Sequence, residues 1–132
     1  MTDADQKLVR EVVEKVMECL VTYKGYGHDT IFTYRGQKWR LNEHPADPRY
    51  SPLLFNPITD ANHRDMVEQA MFEKGWSFGC ERLSMENEYI ARFFKYTKPG
   101  WIWIWKQGMD PNKGRAVLLA AKAVLEAVGE GK

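Results

Sequence analysis

Cysteine is nearly absent from this sequence. Cys19 and Cys80 are its only two, far apart and too few for a disulfide framework, so they read as free thiols in a reducing cytoplasm. Histidine is scarce as well: His28, His44 and His63 show no HxxxH or HExxH spacing, and no metal is expected. No apolar run approaches the roughly 18 residues needed to cross a bilayer, and the start MTDADQKLVR has neither the basic residues nor the apolar stretch of a secretion signal, so a membrane is not expected as partner. Neither charge dominates, with 19 Lys and Arg against 18 Asp and Glu. That balance disfavours nucleic acid as a partner unless a local patch binds it. There is no GxSxG elbow, and the lone glycine pair at Gly25 and Gly27 lacks the remainder of a P-loop, so no catalytic residue and no cofactor are assigned.

What is present suffices for one folded domain over residues 1–132. Apolar residues make up 44% and aromatics 13%, enough for a core, while 28% charged residues and a mean hydropathy of -0.53 describe a well-solvated surface. Apolar pairs recur every four residues from Leu8/Val9 to Leu20/Val21 with charges between them, which predicts an amphipathic helix over about 4–23. Residues 24–58 hold Pro45, Pro48, Pro52 and Pro57 and lack a helical period, so they read as a loop-rich insertion; within it IFTYRGQKWRL is a candidate hairpin turning at Arg35-Gly36. Thr59-Asp60 caps a second helix over about 60–74.

Three alternating segments follow, near 76–82, 89–96 and 101–106, joined by short polar turns, and such strands must be antiparallel neighbours. Trp101, Trp103 and Trp105 alternate with Ile102 and Ile104, so both faces of the third strand call for cover. Asp110-Pro111 has the chemistry of a cap and first position for a last helix, which runs through an Ala-rich segment to Gly129. The fold class expected is α+β: a three-stranded antiparallel meander sandwiched between helices in α/β/α layers, with an irregular insertion after the first helix.

The stretch FNPITDANHRDMVEQAMFEKGWSF resembles the phage ABA sandwich proteins of phages and prophages, a turn with proline running into a Thr-Asp helix start. The closing helix RAVLLAAKAVLEAV and the opening segment VREVVEKVM resemble the same family, and coverage is most of the chain except 24–54. The resemblance implies the layered sandwich and a phage or prophage origin. It brings no activity, so no catalytic residue is carried over from it.

Two groups of cations sit where local structure does not ask for them. Lys113 and Arg115 fall in the first turn of the last helix, where the dipole disfavours positive charge by about 0.3–1 kcal/mol each; an anion held there is one reason for them, and exposed, screened side chains are the plainer one. In the insertion, Arg35, Lys38 and Arg40 stand among aromatics including Trp39, a mixture suited to stacking on a base and neutralising a phosphate, or equally to a small satellite core or an oligomer contact. The function expected is that of an accessory protein acting by binding, in counter-defence for instance, as a homo-oligomer. Its partners would be a small anionic or nucleotide ligand, which it would sequester, or a host protein; a small enzyme acting on a phosphorylated substrate is the contrasting class. The alternation itself is testable. Trp103→Ala should cost about 3–5 kcal/mol by chemical denaturation if that ring is core, and under about 1 kcal/mol if it lies at the surface.

Overall fold

The structure is a computed structural model that describes residues 2–24, 29–45, 49, 52–83, 87–97 and 102–130, with side chains throughout these except at 23–24, 96–97, 102–105 and 127–130. Trp101, Trp103, Trp105, Gly25, Gly27 and His28, all weighed above, lie outside the described residues or side chains.

Helix α1 spans Asp3–Lys15. Thr2 caps it through Oγ1, which accepts from the Asp5 N–H at 3.1 Å, and the predicted apolar pairs Leu8/Val9 and Val12/Val13 are buried. The helix stops short of the expected residue 23. Glu18 takes a left-handed φ of 54°, the Cys19 N–H bonds the Val13 carbonyl at 3.1 Å, and the chain leaves to form a strand. Strand pairing wins over the helical period there: Leu20, counted as a core position by the pattern, is 81% exposed.

The insertion is more regular than its composition implies. It carries β1 (Thr22–Lys24), β2 (Asp29–Tyr34), β3 (Gln37–Arg40) and β4 (Leu53–Leu54) in one four-stranded sheet in that order, with β4 parallel to β3. The β2–β3 hairpin turns at Arg35-Gly36 as expected, with Tyr34 paired to Gln37. Helix α2 (Ala61–Glu73) starts at Asp60, whose Oδ1 accepts from the Asn62 and His63 N–H groups, and ends before Gly75 at φ 93°.

Strands β5 (Ser77–Leu83), β6 (Glu88–Thr97) and β7 (Ile102–Asp110) form the expected antiparallel meander. Its third strand is longer than the pattern indicated. Asp110 is therefore the end of β7, and Asn112 caps α3 (Lys113–Glu130) instead, its Oδ1 accepting from the Arg115 N–H at 2.9 Å. Phe78, Cys80, Ala91 and Phe93 share the face toward the core, which α3 covers, while α1 packs on α3. On the opposite face Arg92 donates to Glu81 at 3.2 Å and to Gln107 at 3.4 Å. Among the described residues the helical cover lies on the first of these faces, and α2 in turn meets the small sheet where His63 packs on Trp39. No helix among the described residues is long and apolar enough to cross a membrane.

Helix α3 approaches β7 at backbone contact. A Cβ on Gly108 would lie 2.3 Å from the Ala116 carbonyl oxygen and 2.5 Å from the Ala120 nitrogen, and neither can yield as a side chain would. Gly79, on β5, has only Phe94 at 3.7 Å. Gly108→Ala should therefore lose about 3 kcal/mol or more, at the upper end of overpacking penalties, while Gly79→Ala should stay within about 1 kcal/mol of wild type. Urea titrations of the two variants check this; equal midpoints would refute the contact.

Candidate functional site

The alternation of β2 and β3 turns Phe32, Tyr34, Gln37 and Trp39 to one side of the hairpin, since register partners share a face. Phe32 and Trp39 reach the core there. Opposite them, α2 presents Asp65, Gln69 and Glu73 at successive spacings of four residues, one stripe of the helix. Between hairpin and helix lies a cleft of about 360 Å³ lined by Tyr34, Arg35, Gln37, Trp39, Asp65, Met66 and Gln69.

The cleft has two distinct ends. At one, the Trp39 ring meets His63 of α2 edge-on at 5.0 Å. At the other, Arg35 at the hairpin tip is ion-paired with Glu73 and lies 5.3 Å from the centroid of the Tyr34 ring. Asp65 and Glu73 are eight residues apart, which is about 12 Å along a helix rising 1.5 Å per residue.

Three features of this cleft run against ordinary stability. The Trp39 Nε1 and Tyr34 Oη are buried and have no hydrogen-bond partner in the protein, at a cost of about 1–3 kcal/mol for each such group. Arg35 sits at φ 51° in the first position of a tight hairpin turn, where Asn, Asp or Gly is normally chosen. Thirdly, Glu68 is paired with Asp65, one helical turn away on α2. Burial, and then the hydrogen bond to Asp65, push the Glu68 carboxyl from 4.5 up to about 7, against the weaker pull of Lys113 and Arg64. The hydrogen bond to Asp65 thus favours the protonated form of Glu68, which has a proton to donate.

The other candidate residues are placed differently. Lys38 is exposed and points away from Trp39, its neighbour on the strand. Arg40 is buried and donates to the carbonyls of Asn42, Pro52 and Glu43 at 2.6, 2.7 and 3.3 Å, clamping the two ends of the segment between β3 and β4. Arg115 forms a two-pronged pair with Asp5, at 2.8 and 2.9 Å, and a third bond to Asp110 at 3.0 Å. Its hydrogen bonds hold the Asp5 carboxyl below its ordinary value. This supplies a structural reason for a cation in the first turn of α3. Lys113 is exposed at the helix start, beside the field of Glu68 and Cys80. The cleft therefore unites Arg35 and Trp39 and leaves the remaining four candidates elsewhere.

Gln37, Asp65 and Gln69 were not singled out in the sequence, although the spacing of four on α2 was there to be read; Tyr34 counted only as one of the insertion's aromatics and Met66 only as part of the apolar face of α2. His63 is a packing residue: stacked on Phe55 at 5.3 Å, it accepts the Asn56 N–H at Nδ1 at 2.8 Å, which pins the turn before α2. Burial raises both thiols, Cys19 and Cys80. Among the described residues no cluster of His, Cys, Asp and Glu could hold a metal ion. A second groove of about 300 Å³ lies between α1 and Thr30, Leu41 and Asn42, and the Asn42 amide in its wall is engaged. Asn42 bonds the Thr30 N–H, Asp29 and the His44 carbonyl.

No protein-family model, curated protein or solved structure matches this chain.

Two measurements follow from the ion pairs. Arg115→Ala leaves Asp5, whose side chain is 10% exposed, without its partner, and should cost about 2 kcal/mol in urea unfolding; no loss would make the pair idle. For Glu68 the folded state holds its proton more tightly than the unfolded chain, so stability should fall as pH rises from about 4.5 to 7. Glu68→Gln should flatten that slope in Tm against pH. Asp5 acts in the other direction and in another window, its contribution present above 3.8 and lost as pH falls below that value.

Proposed function

We propose that this protein is a binding protein whose hairpin–α2 cleft captures a small ligand that joins a flat ring to an anionic group, a nucleotide-type molecule. The observation that carries the reading is the cleft itself, where the aromatic residues Tyr34 and Trp39, the Arg35 guanidinium and Asp65 line one concavity. Arg35 at the rim supplies charge for the same kind of ligand, and the aromatic wall supplies a stacking surface. The residues that resemble phage ABA sandwich proteins support a setting: a phage or prophage accessory protein lowering the free concentration of its ligand in the host cytoplasm.

A second reading has its own observation. Burial, and then the hydrogen bond to Asp65, push Glu68 up to about 7, the range a general acid or base requires. Conversion of a bound phosphorylated compound during incubation would favour a small enzyme over a sequestering protein.

The test is thermal stabilisation by a panel of nucleoside monophosphates, since a ligand of the native state raises Tm in proportion to the logarithm of its concentration over Kd. Arg35→Asn keeps the turn geometry and removes the guanidinium. It should leave the free protein within about 1 kcal/mol of wild type, because the exposed ion pair it loses is worth about that at most. It should also remove most of the ligand-induced gain. No shift with any member of the panel would reject the proposal.

A further inference from the structure

The two ends of the cleft differ in charge and in shape, and that difference restricts the ligand further. Trp39 and Asp65 both line the cleft, and the hairpin tip carries the Arg35 guanidinium, ion-paired with Glu73 at the far end of α2. Asp65 and Glu73 lie about 12 Å apart along α2, by the rise of the helix between them. A free amino acid, with its amine and carboxylate on one carbon, is far too short to satisfy both ends. A nucleoside monophosphate, with its base edge at one extremity and its phosphate at the other, has the required length.

Base identity is then a matter of donors and acceptors. An ionised carboxylate only accepts, and it has two oxygens able to take two parallel N–H bonds. Guanine offers two adjacent donors on one edge, the ring N1–H and the exocyclic amine. Adenine and cytosine each present a ring acceptor beside their amine, and uracil places a single N–H between two carbonyls. A carbonyl or bare ring nitrogen turned toward Asp65 would meet negative charge. Gln37 and Gln69 can donate or accept and so discriminate little. Glu68 acts behind this contact as a positioning residue, its proton directed at Asp65.

We infer that the cleft selects a guanine nucleotide, with the base against Trp39, its N1–H and amine donated to Asp65, and its phosphate held by Arg35 after release from Glu73. The inference rests on the binding role proposed for this cleft.

Calorimetric titration of the full chain with guanosine, inosine and adenosine 5′-monophosphates, and with guanosine, separates the two claims. Inosine monophosphate lacks only the exocyclic amine and should bind roughly tenfold more weakly than guanosine monophosphate, with adenosine monophosphate weaker still, since hydrogen bonds to charged groups are worth at least that factor. Asp65 is exposed on its helix, so Asp65→Asn should fold normally, as a melting curve would verify. An asparagine presents one acceptor and one donor, the complement of the adenine edge, and should move the preference toward adenosine monophosphate. Arg35→Asn should bring guanosine monophosphate down to the affinity of guanosine. If the nucleotides bind without regard to base, or Asp65→Asn keeps the guanine preference, the base assignment is overturned while the binding role stands. If none of the four probes binds, both fall.

Discussion

The contact on which the rest of the molecule depends is the one between two backbones, α3 lying on β7 at Gly108. With 2.3 and 2.5 Å between a would-be Cβ and the atoms of α3, only glycine fits, and the helix brings Ala116, Ala120 and Ala121, all fully buried, to the same surface. Small residues on both elements let Leu118, Val117 and Val124 fill the space around them at close packing. The same helix is seated at its start by a second close approach, Gly114 against the carbonyls of Pro57 and Ile58. That turn leads through Asp60 into α2, so the position of α2, and with it one wall of the cleft, follows from how α3 is seated.

Polar groups complete what the glycines begin. Arg115 ties the start of α3 to Asp5 of α1 and to Asp110 at the end of β7, joining three elements through one guanidinium. The helix dipole opposes a cation at this position by about 0.3–1 kcal/mol, and charge-assisted hydrogen bonds of about 1.5–3 kcal/mol each outweigh it. Arg40 does comparable work in the insertion, where three carbonyls converge on its side chain. Both are arginines for the same reason, because a planar fork of donors can satisfy several acceptors at once.

Single departures occur elsewhere, at the buried Asn56 Oδ1 and at left-handed Glu18 and Asn87, but in the cleft several fall together. A left-handed arginine, two buried polar groups without partners and a glutamate pushed up to about 7 by burial all fall on or beside one concavity. Sequences ordinarily agree with their fold at every level, and departures concentrate where function is served. His63 shows the contrast. It lies next to Trp39 yet has its ring stacked on Phe55 and its Nδ1 bonded to the Asn56 N–H.

Much of the fold was already determined by the chain's own pattern. The meander, the hairpin at Arg35-Gly36 and the Asp60 cap depend on period, turn chemistry and side-chain oxygens, all of which act between residues a few positions apart. The end of α1 did not follow from its pattern, since the periodicity continues to Val21 while pairing with β2 draws Thr22 into a strand. Nor did the roles of the cations. Arg35, Arg40 and Arg115 look alike in sequence, as positive charges in unexpected places, and only the tertiary structure separates them: Asp5 lies 110 residues from Arg115, whereas Arg35 faces a cleft formed with a helix some thirty positions away. Sequence spacing governs local geometry because the chain is connected there. Which charge meets which partner is decided by packing, and packing brings together residues whose separation along the chain carries no record of their contact.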